Sequence, residues 1–261
     1  MNSFQIIELP VETQILKSGV IHFDRLDSTN AYLLNQHPHP SGTVVWADFQ
    51  SAGRGRLGRS WIAPREEALL FSVYLKIHDG AAPLYIYPFL SAVGVLEALK
   101  TFVSPAWLAL KWPNDVLLYN KKICGILVQS KTRSAKSTAI IIGIGLNINQ
   151  NANFFQPDLP FAGSLYSITG KKFDRQAILV ELIRSIDQNL AELTNSGAGA
   201  ILQKWRAYCP YLGQDIKIDD GKNIHAGIFM DITENGGLIL QSGRECRTFH
   251  AGDVTIVKEL P

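Results

Sequence analysis

Apolar and polar positions alternate in short runs over the first third of the chain. Residues 20–26, 43–48 and 69–76 read as β-strands, the last rich in Leu, Phe, Val and Tyr. The period then lengthens. Within 84–103, Phe89, Val93, Leu96 and Leu99 recur at helical spacing, with Pro88 in the first turns, so a helix is expected there. Strand-like runs return at 108–112, 116–119, 123–129 and 138–146. The last is almost unbroken aliphatic, the pattern of a central strand buried on both faces. Residues 147–170 are polar and broken by proline, and read as loop with short turns. An amphipathic helix is expected over 174–193, where Ile178, Leu182, Ile186 and Leu190 recur every fourth residue and Asp174 is the candidate N-cap. A second helix is expected over 200–208.

The character changes at Cys209-Pro210. Five short β-type runs follow, at 214–219, 224–231, 238–241, 246–250 and 254–257, separated by Asp/Asn/Gly turn signals. Five strands in about 50 residues read as a small β-barrel. The expected fold is therefore α+β: residues 1–209 form a domain with a mostly antiparallel or mixed sheet, and residues 210–261 form a small all-β domain.

Composition narrows the function classes. The chain has 261 residues, 46% hydrophobic and 18% charged, enough apolar material for a sizeable core. The net charge of +2 does not mark a nucleic-acid binder. Three scattered cysteines argue for a reducing compartment, hence a cytoplasmic protein, and against a disulfide framework. Histidines and cysteines show no metal-ligand spacing, and His37-Pro38-His39 reads as a surface turn. Neither a signal-peptide pattern nor an apolar window of membrane-spanning length occurs.

The chemistry is most concentrated at Gln50–Trp61, QSAGRGRLGRSW, which combines Gly53, Gly55 and Gly58 with Arg54, Arg56 and Arg59. Glycines permit close backbone approach, and guanidinium forks suit phosphate and carboxylate. The segment is expected to hold a flexible anionic small molecule. It also fits G-x-G-x-x-G, but a dinucleotide site needs a helix directly after the motif. Here Ser60-Trp61-Ile62-Ala63-Pro64 is extended.

Four further segments stand out, each with a plainer alternative. Ser28, Thr29 and Asn30 follow a strand-like run and precede a helical one. They read as a helix cap, a ligand site at a helix start, or both. Lys111-Trp112-Pro113-Asn114-Asp115 has turn chemistry and also offers a tryptophan wall beside charges. Strand alternation puts Lys122, Cys124, Ile126 and Val128 on one face. Lys122 is then either an edge residue reaching for water or a charge aimed into a pocket, and Gly125 beside it admits a ligand close to the backbone. Gly143 and Gly145 leave one strand face bare, either for a neighbouring helix or for a flat ring, with Asn147 as a polar group at the strand end.

Taken in order, DSTN at 27–30, QSAGRGRLGRSW at 50–61, KWPND at 111–115, KICGILVQS at 122–130 and GIGLNIN at 143–149 resemble the biotin–protein ligase family. The resemblance covers the whole chain, because a small C-terminal barrel is also a family feature. It implies a mixed-sheet catalytic domain of the class II synthetase and biotin–lipoate ligase type with flanking helices, followed by an SH3-like barrel. It implies ATP-dependent activation of biotin to biotinyl-5′-AMP with Mg²⁺ present. Transfer to a lysine of a biotin carboxyl carrier domain, as in acetyl-CoA carboxylase and related enzymes, follows. Only about 19 residues precede the first expected strand, so a short type without a DNA-binding module is expected, and a homodimer is left open.

By motif, Ser28, Thr29 and Gln50 meet the polar ureido end or carboxyl side of biotin, and Asn30 and Gly53 belong to the same binding site. Arg54, Gly55, Arg56 and Lys122 meet carboxylate and phosphate, with Lys122, Arg56 and Arg54 as the catalytic candidates, and Gly53 and Gly55 let the loop fold over the adenylate. Gly125 lies along biotin and Asn147 lies near adenosine. Trp61, Lys111 and Asn114 complete the site, and Asp115 is a metal ligand or a lysine-orienting group. Leu57, Cys124 and Gln129 depart from common family residues at their positions without removing a group that has a named role. A lipoate or octanoate ligase would share the fold and the activation chemistry. A nucleic-acid-binding module is the non-enzymatic rival.

Overall fold

Two strands show how the main sheet acquires two different faces. In β4 (Ala68–His78) and β8 (Ser137–Asn147), which pair antiparallel, Leu69, Phe71, Val73, Leu75, Ile140, Ile142, Ile144 and Leu146 enter the main core. The intervening residues Leu70, Ser72, Tyr74, Ile141, Gly143 and Gly145 turn to the opposite side, as a period of two requires. The first face is continuous hydrocarbon under two helices. The second carries a polar residue and two glycines in its middle, and the cleft forms there.

The computed structural model describes residues 3–35, 39–78, 82–134 and 137–256. Residues 37 and 38 of the expected histidine turn, and residue 257 of the last expected strand, lie outside them. The remaining strands of the main sheet are β1 (Gln5–Glu8), β2 (Gly19–Phe23), β3 (Thr43–Ala47), β5 (Leu108–Lys111), β6 (Asp115–Leu118) and β7 (Lys121–Ser134). The sheet order is β1-β2-β3-β4-β8-β7-β6-β5. Only β2 and β3 run parallel, so the sheet is mixed, as expected. The β8 strand is central and buried among neighbours on both sides. Strand β1 was not anticipated.

Helices α2 (Ile86–Leu99) and α4 (Arg175–Ala207) cover the apolar face. The expected helix over 84–103 is shorter at both ends. The two helices expected over 174–193 and 200–208 join into α4, broken at Gly197, whose backbone (φ 77, ψ 178) is non-helical. Asp174 caps the start, accepting from the amides of Gln176 and Ala177. Helix α1 (Thr29–Asn35) packs on the other face with Phe23, Val45, Tyr74 and Ile141. Residues 147–170 hold a short 3₁₀ turn at Ala152–Phe155, as expected, and also the short helix α3 (Leu165–Thr169), opened by a Ser164–Ser167 capping box.

The C-terminal strands β9 (Asp215–Asp219), β10 (Ile224–Ile232), β11 (Leu238–Ser242), β12 (Glu245–Phe249) and β13 (Asp253–Ile256) match the five expected runs. They form an antiparallel sheet of order β12-β11-β10-β9-β13. Its buried residues, among them Ile216, Ile218, Phe229 and Leu240, are continuous with the main core. Polar ties reinforce the join: the Trp112 indole donates to the Gly236 carbonyl (3.0 Å), and Arg206 Nε donates to Asp231 Oδ1 (2.6 Å).

Candidate functional site

A cleft of about 460 Å³ opens on the polar side of the main sheet. Helix α1, the Gln50–Trp61 loop, the β5–β6 hairpin, β7, β8, residues 158–162 and β13 all contribute to its lining. Ser28, Thr29, Asn30, Gln50, Arg54, Gly55, Arg56, Trp61, Lys111, Asn114, Lys122, Gly125 and Asn147 reach it. Residues from five segments far apart in sequence thus converge. Gly53 and Asp115 are buried just behind the wall.

The arginine-rich loop is a narrow hairpin. Gly55 N–H donates to the Arg59 carbonyl, and Trp61 N–H donates to the Gly53 carbonyl. Arg56–Gly58 forms a 3₁₀ turn, with Leu57 itself left-handed (φ 53). No long helix follows, and the sheet is mostly antiparallel, so the dinucleotide geometry is absent from this segment. The glycines act unequally. A Cβ on Gly53 would collide with the Trp61 carbonyl, whereas Gly55 is extended (φ −109) and its Cβ would meet nothing nearer than 3.4 Å.

Arg56 is the best-held cation. Its Nη1 donates to Asn114 Oδ1 (3.1 Å) and to the Gly252 carbonyl (3.4 Å). Asn114 in turn donates to the Ile126 carbonyl (2.5 Å), which fixes the side chain that fixes Arg56. Burial lowers the Arg56 pKa from its ordinary value, opposed by the charges of Asp253 and Asp115. Arg54 is exposed and has no side-chain partner among the described residues. Arg59 forms an ion pair with Asp253 of β13, so the loop is tied to the C-terminal sheet.

Lys122 reaches the cleft through a backbone irregularity. Val116 pairs with Cys124 and Leu117 with Lys122, so Ile123 is an extra residue in β7. The bulge overturns the expected alternation. Cys124, Ile126 and Val128 face the core, while Lys122 joins Gly125 on the cleft side. Lys122 Nζ lies 2.6 Å from Asp115 Oδ1, and Lys111 Nζ lies 3.6 Å from Asp115 Oδ2. Both Asp115 oxygens therefore face ammonium groups, an arrangement that can orient Lys122. His22, Asp24 and Asp48 also come together, outside the cleft lining. There the Asp48 oxygens are held by His22 (3.0 Å) and Arg175 (2.8 Å), a structural tie rather than an open ligand set.

The flat ring over the bare strand face belongs to the protein. Trp61 lies across β7 and β8: a Cβ on Gly125 would stand 2.8 Å from its ring, and one on Gly145 would stand 2.7 Å from its Nε1. Asn30 covers Gly143 in the same way. Trp112, expected as a wall, is instead buried in the core. Asn147 lines the cleft, but its amide is engaged, donating to the Gly163 carbonyl (3.0 Å) and accepting from Gln150 (2.9 Å). It anchors the segment beside Lys122, whose N–H donates to the Phe161 carbonyl.

Sequence reasoning missed Ser72, a hydroxyl in the apolar run LLFSVYL that is fully buried behind Thr29 and Asn30. One polar residue inside that run was the available signal. It also missed Asp253, Val254, Thr255 and Ile256, which close one wall from the C-terminal sheet. Local pattern carries no sign of that long-range packing.

This architecture has relatives. Residues 22–147 match the model of the biotin/lipoate A/B protein ligase family, and residues 211–257 match that of the biotin protein ligase C-terminal domain. A biotin–[acetyl-CoA-carboxylase] ligase of Paracoccus denitrificans is 35% identical over 227 residues, 85% of this chain and 94% of the relative. One from Mycobacterium tuberculosis is 31% identical, with 87% of this chain and 85% of the relative covered. The solved biotin protein ligase of Aquifex aeolicus, in complex with biotin and ATP, superposes with a TM-score of 0.77 at 31% identity, covering 90% of this chain and 97% of that one. A lipoate-specific assignment is not favoured by these relatives, and the chain belongs to the biotin protein ligase family.

Proposed function

We infer that the cleft joins biotin to ATP and then delivers the biotinyl group to a lysine of a carrier domain. The chain is an ATP-dependent biotin–protein ligase. In the first step a biotin carboxylate oxygen bonds to the α-phosphorus and pyrophosphate leaves. In the second the carrier amine bonds to the acyl carbon and AMP leaves.

A carboxylate and a triphosphate repel each other, so the first step needs fixed positive charge and enforced proximity. The observation that carries the assignment is the convergence of Arg54, Arg56 and Lys122 on one cleft that Thr29 and Gln50 also line with polar groups. Arg56, held by Asn114, and Lys122, held by Asp115, serve as the pre-oriented cations. Arg54 is free to meet the phosphates. Trp61 supplies an apolar ring against which flat or aliphatic parts of the ligand pack. Asn147 acts on the adenosine side by holding the 161–163 segment.

Mg²⁺ would accompany the ATP phosphates, and Asp115, beside Lys122 and Lys111, would orient the lysines. We assign biotin and ATP binding to residues 1–209 and treat residues 210–261 as a small barrel that completes one wall of the site. A carrier domain of acetyl-CoA carboxylase or a related biotin enzyme is the proposed protein partner. Three free cysteines favour a cytoplasmic setting. No helix among the described residues is long and apolar enough to cross a membrane.

The test is exchange of labelled pyrophosphate into ATP, followed by the mass of an added carrier domain. The expected result is exchange that requires biotin and a carrier heavier by one biotinyl group. Exchange driven by lipoate in place of biotin would overturn the reading.

A further inference from the structure

A chain of polar side chains runs from β7 to the Gln50 loop behind the cleft, and its protons can be counted. Asn30 Nδ2 donates to the Leu127 carbonyl (3.3 Å) and to Gln129 Oε1 (2.9 Å). A backbone carbonyl only accepts, so this contact fixes which end of the Asn30 amide is nitrogen. Asn30 Oδ1 therefore accepts, and the Ser72 hydroxyl donates to it at 2.6 Å. At the other end the Thr29 backbone N–H donates to Gln50 Oε1 at 2.7 Å, which fixes the Gln50 amide by the same logic.

The Thr29 hydroxyl stands between these ends, 2.7 Å from Ser72 Oγ and 3.0 Å from Gln50 Oε1. A hydroxyl carries one proton. Ser72 commits its own to Asn30, so Thr29 Oγ1–H serves either Ser72 or Gln50. Three oxygen–oxygen contacts share two protons, and one contact is left with lone pairs facing each other. Ser72 is fully buried and Asn30 and Thr29 nearly so. Thr29 and Gln50 line the cleft, so the missing proton arrives from that side.

We propose that Ser72 is a positioning residue that sets ligand specificity. With its proton drawn to Asn30, Ser72 accepts the proton of Thr29, the closer of that hydroxyl's two acceptors. Thr29 Oγ1 and Gln50 Oε1 are then paired acceptors that require an N–H donor from the ligand. The inference rests on the biotin reading above, since the cyclic urea of biotin carries such N–H groups. A dithiolane or a plain alkyl chain carries none, and it would leave the buried Thr29 hydroxyl oxygen facing Gln50 Oε1 with no proton between them, a basis for rejection.

The experiment is calorimetric binding of biotin, and of its two ureido mono-N-methyl derivatives, to the full chain and to Ser72→Ala. Thermal melting confirms that the variant is folded. Ser72→Ala is expected to weaken biotin about fivefold, the equivalent of one ordinary hydrogen bond. One methyl derivative is expected to bind wild type weakly and to lose little more on Ser72→Ala. A merely structural role would weaken all three ligands alike, and that result overturns the assignment, as does unchanged biotin affinity in the folded variant. If Ser72→Ala does not fold, Ser72→Cys, close in size and a weak donor, is held to the same pattern. Failure of wild type to bind biotin at all would overturn the biotin reading itself and this inference with it. Tight wild-type binding with equal losses overturns the relay alone.

Discussion

Replacing Lys122 with alanine should separate catalysis from folding. The Lys122 side chain is 36% exposed, and its partner Asp115 keeps Lys111 as a second cation at 3.6 Å. Removal leaves Asp115 with one ammonium instead of two. For a partly exposed pair the folding cost is about 1 kcal/mol or less. The chemical cost is larger. In the proposed reaction the ammonium meets a carboxylate and an α-phosphate in a cleft where the neighbouring guanidinium is already partly desolvated. Removing one pre-oriented donor from such a site typically costs about 3–4 kcal/mol. At about 1.4 kcal/mol per decade, that is a rate loss of roughly 100- to 1,000-fold. The assay is single-turnover formation of biotinyl-5′-AMP by rapid quench, alongside urea unfolding of the same protein. A rate within about threefold of wild type would refute the role of Lys122. A stability loss as large as the rate loss would show that the residue is mainly structural.

Three further outcomes are expected. Gly145→Ala drives a methyl group into the Trp61 ring; displacing the indole costs about 1–3 kcal/mol, so adenylate affinity should fall about tenfold or more in equilibrium binding while the fold persists. Asp187→Ala removes a buried carboxylate that accepts from the amides of Gln14, Ile15 and Leu16 at 2.7–2.8 Å. Denaturant unfolding should show a loss of about 2–4 kcal/mol, with biotin affinity unchanged. Burial pushes the thiols of Cys124 and Cys209 up, the latter to about 12, whereas Cys246 is exposed; maleimide labelling followed by peptide mass mapping should therefore modify Cys246 quickly and the other two only on unfolding.

The sequence made some features legible because they are local. Helical spacing at Ile178, Leu182, Ile186 and Leu190 and the aliphatic run of β8 each report a burial pattern that neighbouring residues enforce. The five C-terminal strands were visible through their turns. Other features depend on contacts across the fold. Strand β1 is an exposed edge with no alternation to betray it. The bulge at Ile123 moves Lys122 to the other face of β7, and strict alternation cannot foresee an inserted residue. The pairing of Arg59 with Asp253 and the covering of Gly145 by Trp61 join residues far apart in sequence. Asn147 was legible as a hydrogen-bonding group at the strand end, but its partners Gly163 and Gln150 come from the following loop and could not be read from the strand. Ser72 was visible only as a hydroxyl out of place.

In the proposed reaction one cleft forces two anions together between Arg56 and Lys122. This is tested most directly by a crystal structure of the protein with biotinyl-5′-AMP. The bond between acyl and phosphoryl groups is expected within hydrogen-bonding reach of both cations, with the urea ring at Thr29 and Gln50. An adenylate bound elsewhere, or one whose acyl phosphate touches neither Arg56 nor Lys122, would contradict it.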